Sequence, residues 1–223
     1  MKIIDCIQGS EDWLRYRSGL PTASELNELI SPTGVIRKGD MPESYLALKL
    51  AEKWMGGPVL SFSGGAMEQG TLKESEAVPY FELTQNIDIR RVGLVLNDEG
   101  TFGASPDGLC DGFGVELKCP QPNTHAAWLI DNVVPTKHLW QCYGGMYATG
   151  LPVWRFGSYC RGFPHLWVEV ERDENAMETI ASVMQTFTAR LAKEYARLIE
   201  RNGGPPQHPT PSTSEQLNDH PFI

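Results

Sequence analysis

Asp107, Glu116 and Lys118 are the residues of this chain whose types and spacing admit metal-assisted chemistry. They stand in Ser105-Pro106-Asp107-Gly108 and Val115-Glu116-Leu117-Lys118-Cys119-Pro120, on either side of a turn signal at Cys110-Asp111-Gly112. On a strand, residues two apart project to one face, so Glu116 and Lys118 point together while Leu117 turns to the core. A hairpin would bring Asp107 alongside. Two carboxylates a few ångströms apart repel unless a cation sits between them, and oxygen-only ligation selects Mg2+ or Mn2+. Such an ion lowers the pKa of a bound water, polarises a phosphoryl oxygen and stabilises a leaving alkoxide. Lys118 would orient or deprotonate that water and offset phosphate charge. Spacing alone leaves a second reading open. An acid, a second acid and a lysine fall together by chance on the order of once in a chain this long, and a solvated hairpin with an exposed Glu116–Lys118 pair fits as well.

The elements that must position these residues follow from period and punctuation. Ser10 caps a helix with Glu11 and Asp12 in its first turn, and Gly19 ends it. Thr22-Ala23-Ser24-Glu25 reads as a capping box, predicting a second short helix from Thr22 whose free N–H groups would welcome an anion. A third helix is expected over residues 43–54 and a fourth over about 66–81, with Pro79 near its end. From Asn86 the alternation of Ile87, Ile89, Val92, Leu94 and Leu96 predicts a strand, followed by a hairpin of strands at 101–109 and 113–119. Helices at 124–131 and 136–149, strands at 153–160 and 164–171, and a long helix at 173–201 complete the pattern. Ile180, Val183, Met184, Phe187 and Leu191 form one stripe of that last helix. Gly144 and Gly145 weaken their helix by roughly 1 kcal/mol each relative to alanine, a cost that close packing would offset. One domain over 1–201 and a flexible tail over 202–223 are expected. The apolar end of that tail, Pro221-Phe222-Ile223, is either disordered or docked on a neighbouring subunit.

Composition narrows the class. The 223 residues suffice for one substantial core, and no apolar run is long enough to span a bilayer. The opening Met1-Lys2-Ile3-Ile4-Asp5-Cys6 lacks the apolar region of a secretory signal, so a cytoplasmic protein is expected. Five cysteines form no C-x-x-C pair, which argues against a zinc knuckle, an iron–sulfur cluster or a disulfide framework. The net charge of −9 lowers the expectation of nucleic-acid binding without excluding it. A divalent-cation site needs carboxylates, and a locally basic channel can still focus binding.

The arrangement around the triplet resembles the PD-(D/E)xK nuclease superfamily, and within it the phage lambda exonuclease or YqaJ-like viral recombinase family. Gln8-Gly9-Ser10 with Trp13, Arg17, Gly19 and Thr22-Ala23-Ser24 resembles that family's opening motif, and Gly70 to Glu74 its helical glutamate motif. Ala104 to Leu109 and Glu116 to Pro120 resemble its core motif. Trp140-Gln141-Cys142 with Met146, Tyr147 and Thr149 is similar to its glutamine helix. The likeness covers roughly residues 7–175. It implies an α/β fold, a restriction-endonuclease-like core with a central mixed β-sheet flanked by helices. It also implies that Asp107, Glu116, the Leu117 carbonyl and Glu74 hold Mg2+, with Mn2+ as a substitute, that Lys118 activates water, and that Gln141 contacts that water or Lys118. Arg17, Ser24 and Ser105 match positions that bind a 5′-phosphate, and Met67 a residue that parts the end base pair.

Each of these positions has a plainer reading from the residues themselves. Glu74 belongs to a polar helix face with Glu68 and Glu76, Gln141 suits a buried amide, Arg17 a surface ion pair and Met67 a core position. Taken whole, the resemblance implies a 5′ to 3′ exonuclease acting on double-stranded DNA ends in phage-type recombination. It implies a phage or prophage origin in a bacterial host cell, a ring-shaped homotrimer and a single-strand annealing protein as partner. A restriction-like or structure-specific endonuclease of the same fold, and a catalytically silent DNA-end or protein-binding module, are the alternatives.

Overall fold

The computed structural model describes residues 1–59 and 76–205. Glu74, Met67, the Gly70 to Glu74 motif, the first part of the expected fourth helix and the tail beyond residue 205 lie outside them. In chain order the elements are β1 (Lys2–Ile4), α1 (Glu11–Arg17), a 3-10 turn (Ala23–Glu28) and α2 (Asp40–Met55). A helix α3 follows, described over 76–85. Then come β2 (Leu94–Leu96), β3 (Gly103–Ala104), β4 (Gly108–Cys110), β5 (Phe113–Lys118), α4 (Pro122–Asp131) and α5 (Thr136–Thr149). The chain closes with β6 (Val153–Ser158), β7 (Leu166–Glu171) and α6 (Glu174–Asn202). Among the described residues no helix is long and apolar enough to cross a membrane.

Two sheets carry the site. One is antiparallel, in the order β1-β2-β3; the other is mixed, in the order β4-β5-β6-β7, with β5 and β6 parallel and the outer pairs antiparallel. The parallel pair needs a crossover, which α4 and α5 supply. β5 is covered on both faces. Val115 and Leu117 turn to a small core with Ala77, Val78 and Phe81 of α3, while Gly114 and Glu116 turn towards α5 and β6, where Trp154, Phe156 and Met146 belong to the main core.

The glycines of α5 act as expected. A Cβ on Gly145 would lie 2.5 Å from the Trp154 ring, and one on Gly144 would lie 2.7 Å from the Ala23 side chain and 2.9 Å from its Cα. Gly114 on β5, paired with Trp154 in the register, covers the other side of the same indole. Trp154 is 1% exposed as a result. The 3-10 turn that carries Ser24 therefore rests directly on α5, which carries Gln141.

Three expectations need correction. The strand expected at 101–109 is two strands in different sheets, β3 and β4, separated by Ser105-Pro106-Asp107. Pro106 has no N–H to give a ladder, and its carbonyl accepts a hydrogen bond from Gln8 Nε2 at 2.8 Å, which also donates to Val92 O. Of the strand expected from Asn86, only β2 forms; Ile87 and Ile89 pack under α3, and Arg90 makes a single bridge to Leu109. The helix from Thr22 is a six-residue 3-10 turn. The Thr22 side chain makes no capping bond there and donates instead to Glu25 Oε2 at 2.7 Å.

Gly144→Ala isolates the packing argument. The new methyl gains about 1 kcal/mol of helix propensity but meets the backbone of Ala23, and overpacking of this kind costs about 1–3 kcal/mol. We expect a net loss of stability, read as a lower denaturant midpoint. Unchanged or higher stability would mean that the 3-10 turn can back away from α5.

Candidate active site

Glu116 is the most deeply placed acid of the triplet. It is 3% exposed at the end of β5, and its Oε1 accepts a bond from the Lys118 ammonium. Strand alternation puts the two side chains on one face, as their spacing predicts. Asp107 reaches the same strand from the crossing between sheets. Its backbone N–H donates to Val115 O at 3.1 Å, and its Oδ2 accepts the Leu117 N–H. The Asp107 carboxylate thus stands where the next residue of a longer β4 would have offered a carbonyl. The N–H and C=O of a strand residue point the same way, so the Leu117 carbonyl is turned to the side of Asp107.

The environment raises the Asp107 carboxyl above the ordinary aspartate value. Burial is the main cause, and the Lys118 charge, the Leu117 N–H and the Arg91 charge oppose it. Burial short of compensating cations and a donor set made wholly of oxygens are what a hard divalent ion requires. Asp107, Glu116 and the Leu117 carbonyl fit such an ion. Among the described residues no third acid, histidine or cysteine joins them.

Gln141 lies on α5 beside Glu116, Ser24 and Ser105, which line one small pocket with it. Its side chain lies close to the His138 imidazole. Burial, with the charges of Lys118 and Lys137 added, drives the His138 imidazole down to about 3, so it is neutral and stacks on Phe156 at 5.5 Å. His138 links Gln141 to the surroundings of Lys118; no motif points to it, and its role emerges only from packing.

Arg17 ends α1 and converges with Ser24 and Ser105. Its Nη1 donates to Ser105 Oγ at 3.3 Å and its Nη2 to Ser24 Oγ at 3.2 Å. Trp13 fixes both partners, with Nε1 donating to Ser105 Oγ at 2.9 Å and the guanidinium lying 4.5 Å over its ring. Among the described residues the arginine therefore makes no ion pair. Its partners are hydroxyls, which can turn to donate to an anion, while the guanidinium keeps its charge. Burial lowers its pKa, against the pull of Glu25 and Glu52.

Behind this cluster stands a buried ionic network that sequence spacing does not reveal. Thr22 Oγ1 accepts from Arg17 Nη2 at 3.2 Å and donates to Glu25, whose other oxygen takes the Lys49 ammonium at 3.0 Å. Lys49 is 2% exposed and also binds Glu52 at 3.0 Å. Glu52 in turn accepts the Gly19 N–H at 2.8 Å, fixing the turn that follows α1. The guanidinium is thus tied to Lys49 of α2 through the Thr22 hydroxyl and the Glu25 carboxylate.

Comparison with known proteins gives the family and the fold. A family model described as the YqaJ-like viral recombinase domain matches residues 12–152, more than half of the chain. An alkaline exonuclease from Laribacter hongkongensis, LHK-Exo, is 26% identical over 87% of this chain and 98% of its own, with a TM-score of 0.78. A structure of LHK-Exo in complex with dAMP matches with the same figures. A phage related exonuclease from Haemophilus somnus 129PT shares the fold at 12% identity, over 82% of this chain and 96% of its own, with a TM-score of 0.62. No curated protein matches. The core is accordingly the mixed α/β arrangement of PD-(D/E)xK-like exonucleases.

Lys49→Met tests the network. Removing the ammonium leaves two carboxylates facing each other in a buried site, a loss of about 3 kcal/mol. Thermal and denaturant unfolding read it directly, and a loss below about 1 kcal/mol would show that the network relaxes or admits water.

Proposed function

This chain belongs to the YqaJ-like viral recombinase family, and on that premise we propose that it is a metal-dependent exonuclease. It digests one strand of linear double-stranded DNA in the 5′ to 3′ direction and leaves 3′ single-stranded overhangs for phage-type recombination. The observation that carries this reading is the short Ser105-Pro106-Asp107 crossing. It brings Ser105, bonded with Ser24 to the Arg17 guanidinium, into the pocket that Glu116 lines. The likeness to an alkaline exonuclease solved with dAMP, a deoxynucleoside monophosphate, supports a reaction that releases mononucleotides.

In this mechanism the Arg17 fork and the hydroxyls of Ser24 and Ser105 hold the 5′-phosphate and set how far the strand enters. Asp107, Glu116, the Leu117 carbonyl and Glu74 would hold Mg2+, with Mn2+ as a substitute. The ion, when bound, polarises the scissile phosphodiester and stabilises the leaving oxygen. Lys118 orients the attacking water and offsets phosphate charge, and Gln141 steadies the water or Lys118. Met67 wedges the end base pair apart. Residues 1–201 form the nuclease domain, which works in the cytoplasm of a bacterial host. A homotrimeric ring would let a chain of net charge −9 hold duplex DNA in a locally basic lumen and stay on it through many cuts. A single-strand annealing protein would take up the overhang.

Digestion of linear duplexes with 5′-phosphate or 5′-hydroxyl ends, alongside a covalently closed circle, tests the proposal. We expect phosphorylated ends to be preferred and the circle to survive. Lys118→Ala should lower the rate by at least about 100-fold, and Arg17→Ala should abolish the preference between ends. Cutting of the circle would favour an endonuclease, and metal binding without nucleotide release a silent end-binding module. Proton competition gives a separate test. Asp107 is held protonated to higher pH than usual, and a metal ion needs the carboxylate. Calorimetric Mn2+ affinity should therefore rise with pH through the acid range and level off once Asp107 is ionised. A flat affinity between about pH 4 and pH 7 would remove Asp107 from the ligand set.

A further inference from the structure

The carboxylate pair stands between two openings. Ser105 and Pro106 line the small pocket that also holds Ser24, Glu116 and Gln141. Asp107 and Leu117 face the other way, into a cavity of about 340 Å3 that Gln8 and Arg91 also line. Arg91 is exposed, and its charge reaches Asp107.

Among the described residues several cations are committed to ion pairs. Arg155, Arg161, Arg172, Arg190 and Arg197 each pair with a glutamate, and Lys118 pairs with Glu116. The Arg91 guanidinium makes no ion pair or hydrogen bond among the described residues. In a chain of net charge −9, such an arginine beside Asp107 offers a planar set of donors suited to a phosphate. Asp5 lines the same cavity and would repel an anion, so a phosphate must settle on the Arg91 side.

Resting on the 5′-end reading above, we infer that Arg91 holds a backbone phosphate of the digested strand on the 3′ side of the bond that is cut. Arg17 and Arg91 then grip the strand on either side of Asp107. The three positions stand one nucleotide apart in function: the end phosphate at Arg17, the scissile phosphate at the carboxylates, and the next phosphate at Arg91. After a mononucleotide leaves, an advance of one nucleotide moves each phosphate into the preceding position. Arg91 retains the strand while the Arg17 cluster is being refilled.

The test alters both partners. Two 5′-phosphorylated duplexes differ only at the linkage between the second and third nucleotides of the digested strand, a phosphate in one and an uncharged methylphosphonate in the other. Affinities are measured with Mg2+ in a Lys118→Ala background, and first-nucleotide release with Lys118 present, each with Arg91 and with Arg91→Gln. With Arg91 present, the methylphosphonate should weaken binding about tenfold, the size of one charge-assisted contact. With Arg91→Gln it should change binding less than about twofold. Arg91→Gln should also make the slope of log affinity against log salt shallower by about 0.9, and lower the number of nucleotides released per binding event. The preference for a 5′-phosphate should stay intact, and an unchanged melting temperature would show that the exposed substitution leaves the fold whole. Equal methylphosphonate penalties in the two proteins, or an unchanged salt slope, would overturn the assignment of Arg91. Absence of nucleotide release from either duplex by the unmodified chain would instead overturn the nuclease reading, and the binding comparison would still decide whether Arg91 meets that phosphate.

Discussion

A carboxylate sunk at the end of a strand has to be compensated, and much of this molecule is arranged around that requirement at Asp107 and Glu116. Glu116 is held in the interior because β5 is covered on both faces, and it is covered closely because Gly114 and Gly145 let Trp154 lie flat between sheet and helix. A larger residue at either glycine would lift α5, and with it the wall of the pocket that Glu116 shares with Gln141. Asp107 depends on a different device. Its carboxylate takes the Leu117 N–H only because the chain leaves one sheet at Ala104 and enters the other at Gly108. Gln8 pins that crossing from the N-terminal segment. The two acids therefore reach one place by separate routes, each held by backbone.

How much of this was legible depended on whether the signal was local. The pairing of Glu116 with Lys118 follows from the two-residue period of a strand, and the turn at Asp111-Gly112 from its composition, Gly112 adopting φ +80°. The stripe on α6 places its buried residues correctly as far as Leu191. The strand expected at 101–109 broke because Pro106 and the Gln8 clamp act across sheets, and a residue nearly a hundred positions away leaves no mark on local alternation. The capping box at Thr22 misled for a related reason. Its threonine and glutamate do bond, but to each other, because Arg17 and Lys49 draw them into a tertiary network. Ser105 was reached through family resemblance alone, and Arg17 and Ser24 through that resemblance together with the anion-binding character of the segment that starts at Thr22, whereas Lys49, His138 and Arg91 carry no motif. Their significance lies in what packs beside them.

The acidity of the chain looks at first like an obstacle to holding a phosphate, yet its distribution suggests otherwise. Five glutamates are spent on surface arginines, in pairs that contribute little to stability. Glu25 and Glu52 are spent on Lys49, a buried cation that would otherwise have no counter-charge. Near the carboxylate pair stand an arginine whose hydrogen-bond partners among the described residues are hydroxyls, a second arginine open to solvent, and a lysine on the rim of Glu116. Net charge averages over the surface, but a phosphate a few ångströms away meets the near field, where Coulomb energies rise as the local dielectric falls. The Lys49 network sharpens that field in a second way. It ties Glu25 down beyond Thr22, and among the described residues that carboxylate forms its ion pair with Lys49 and not with Arg17. The buried lysine thus stands one layer behind the arginine, with the Thr22 hydroxyl and the Glu25 carboxylate between them.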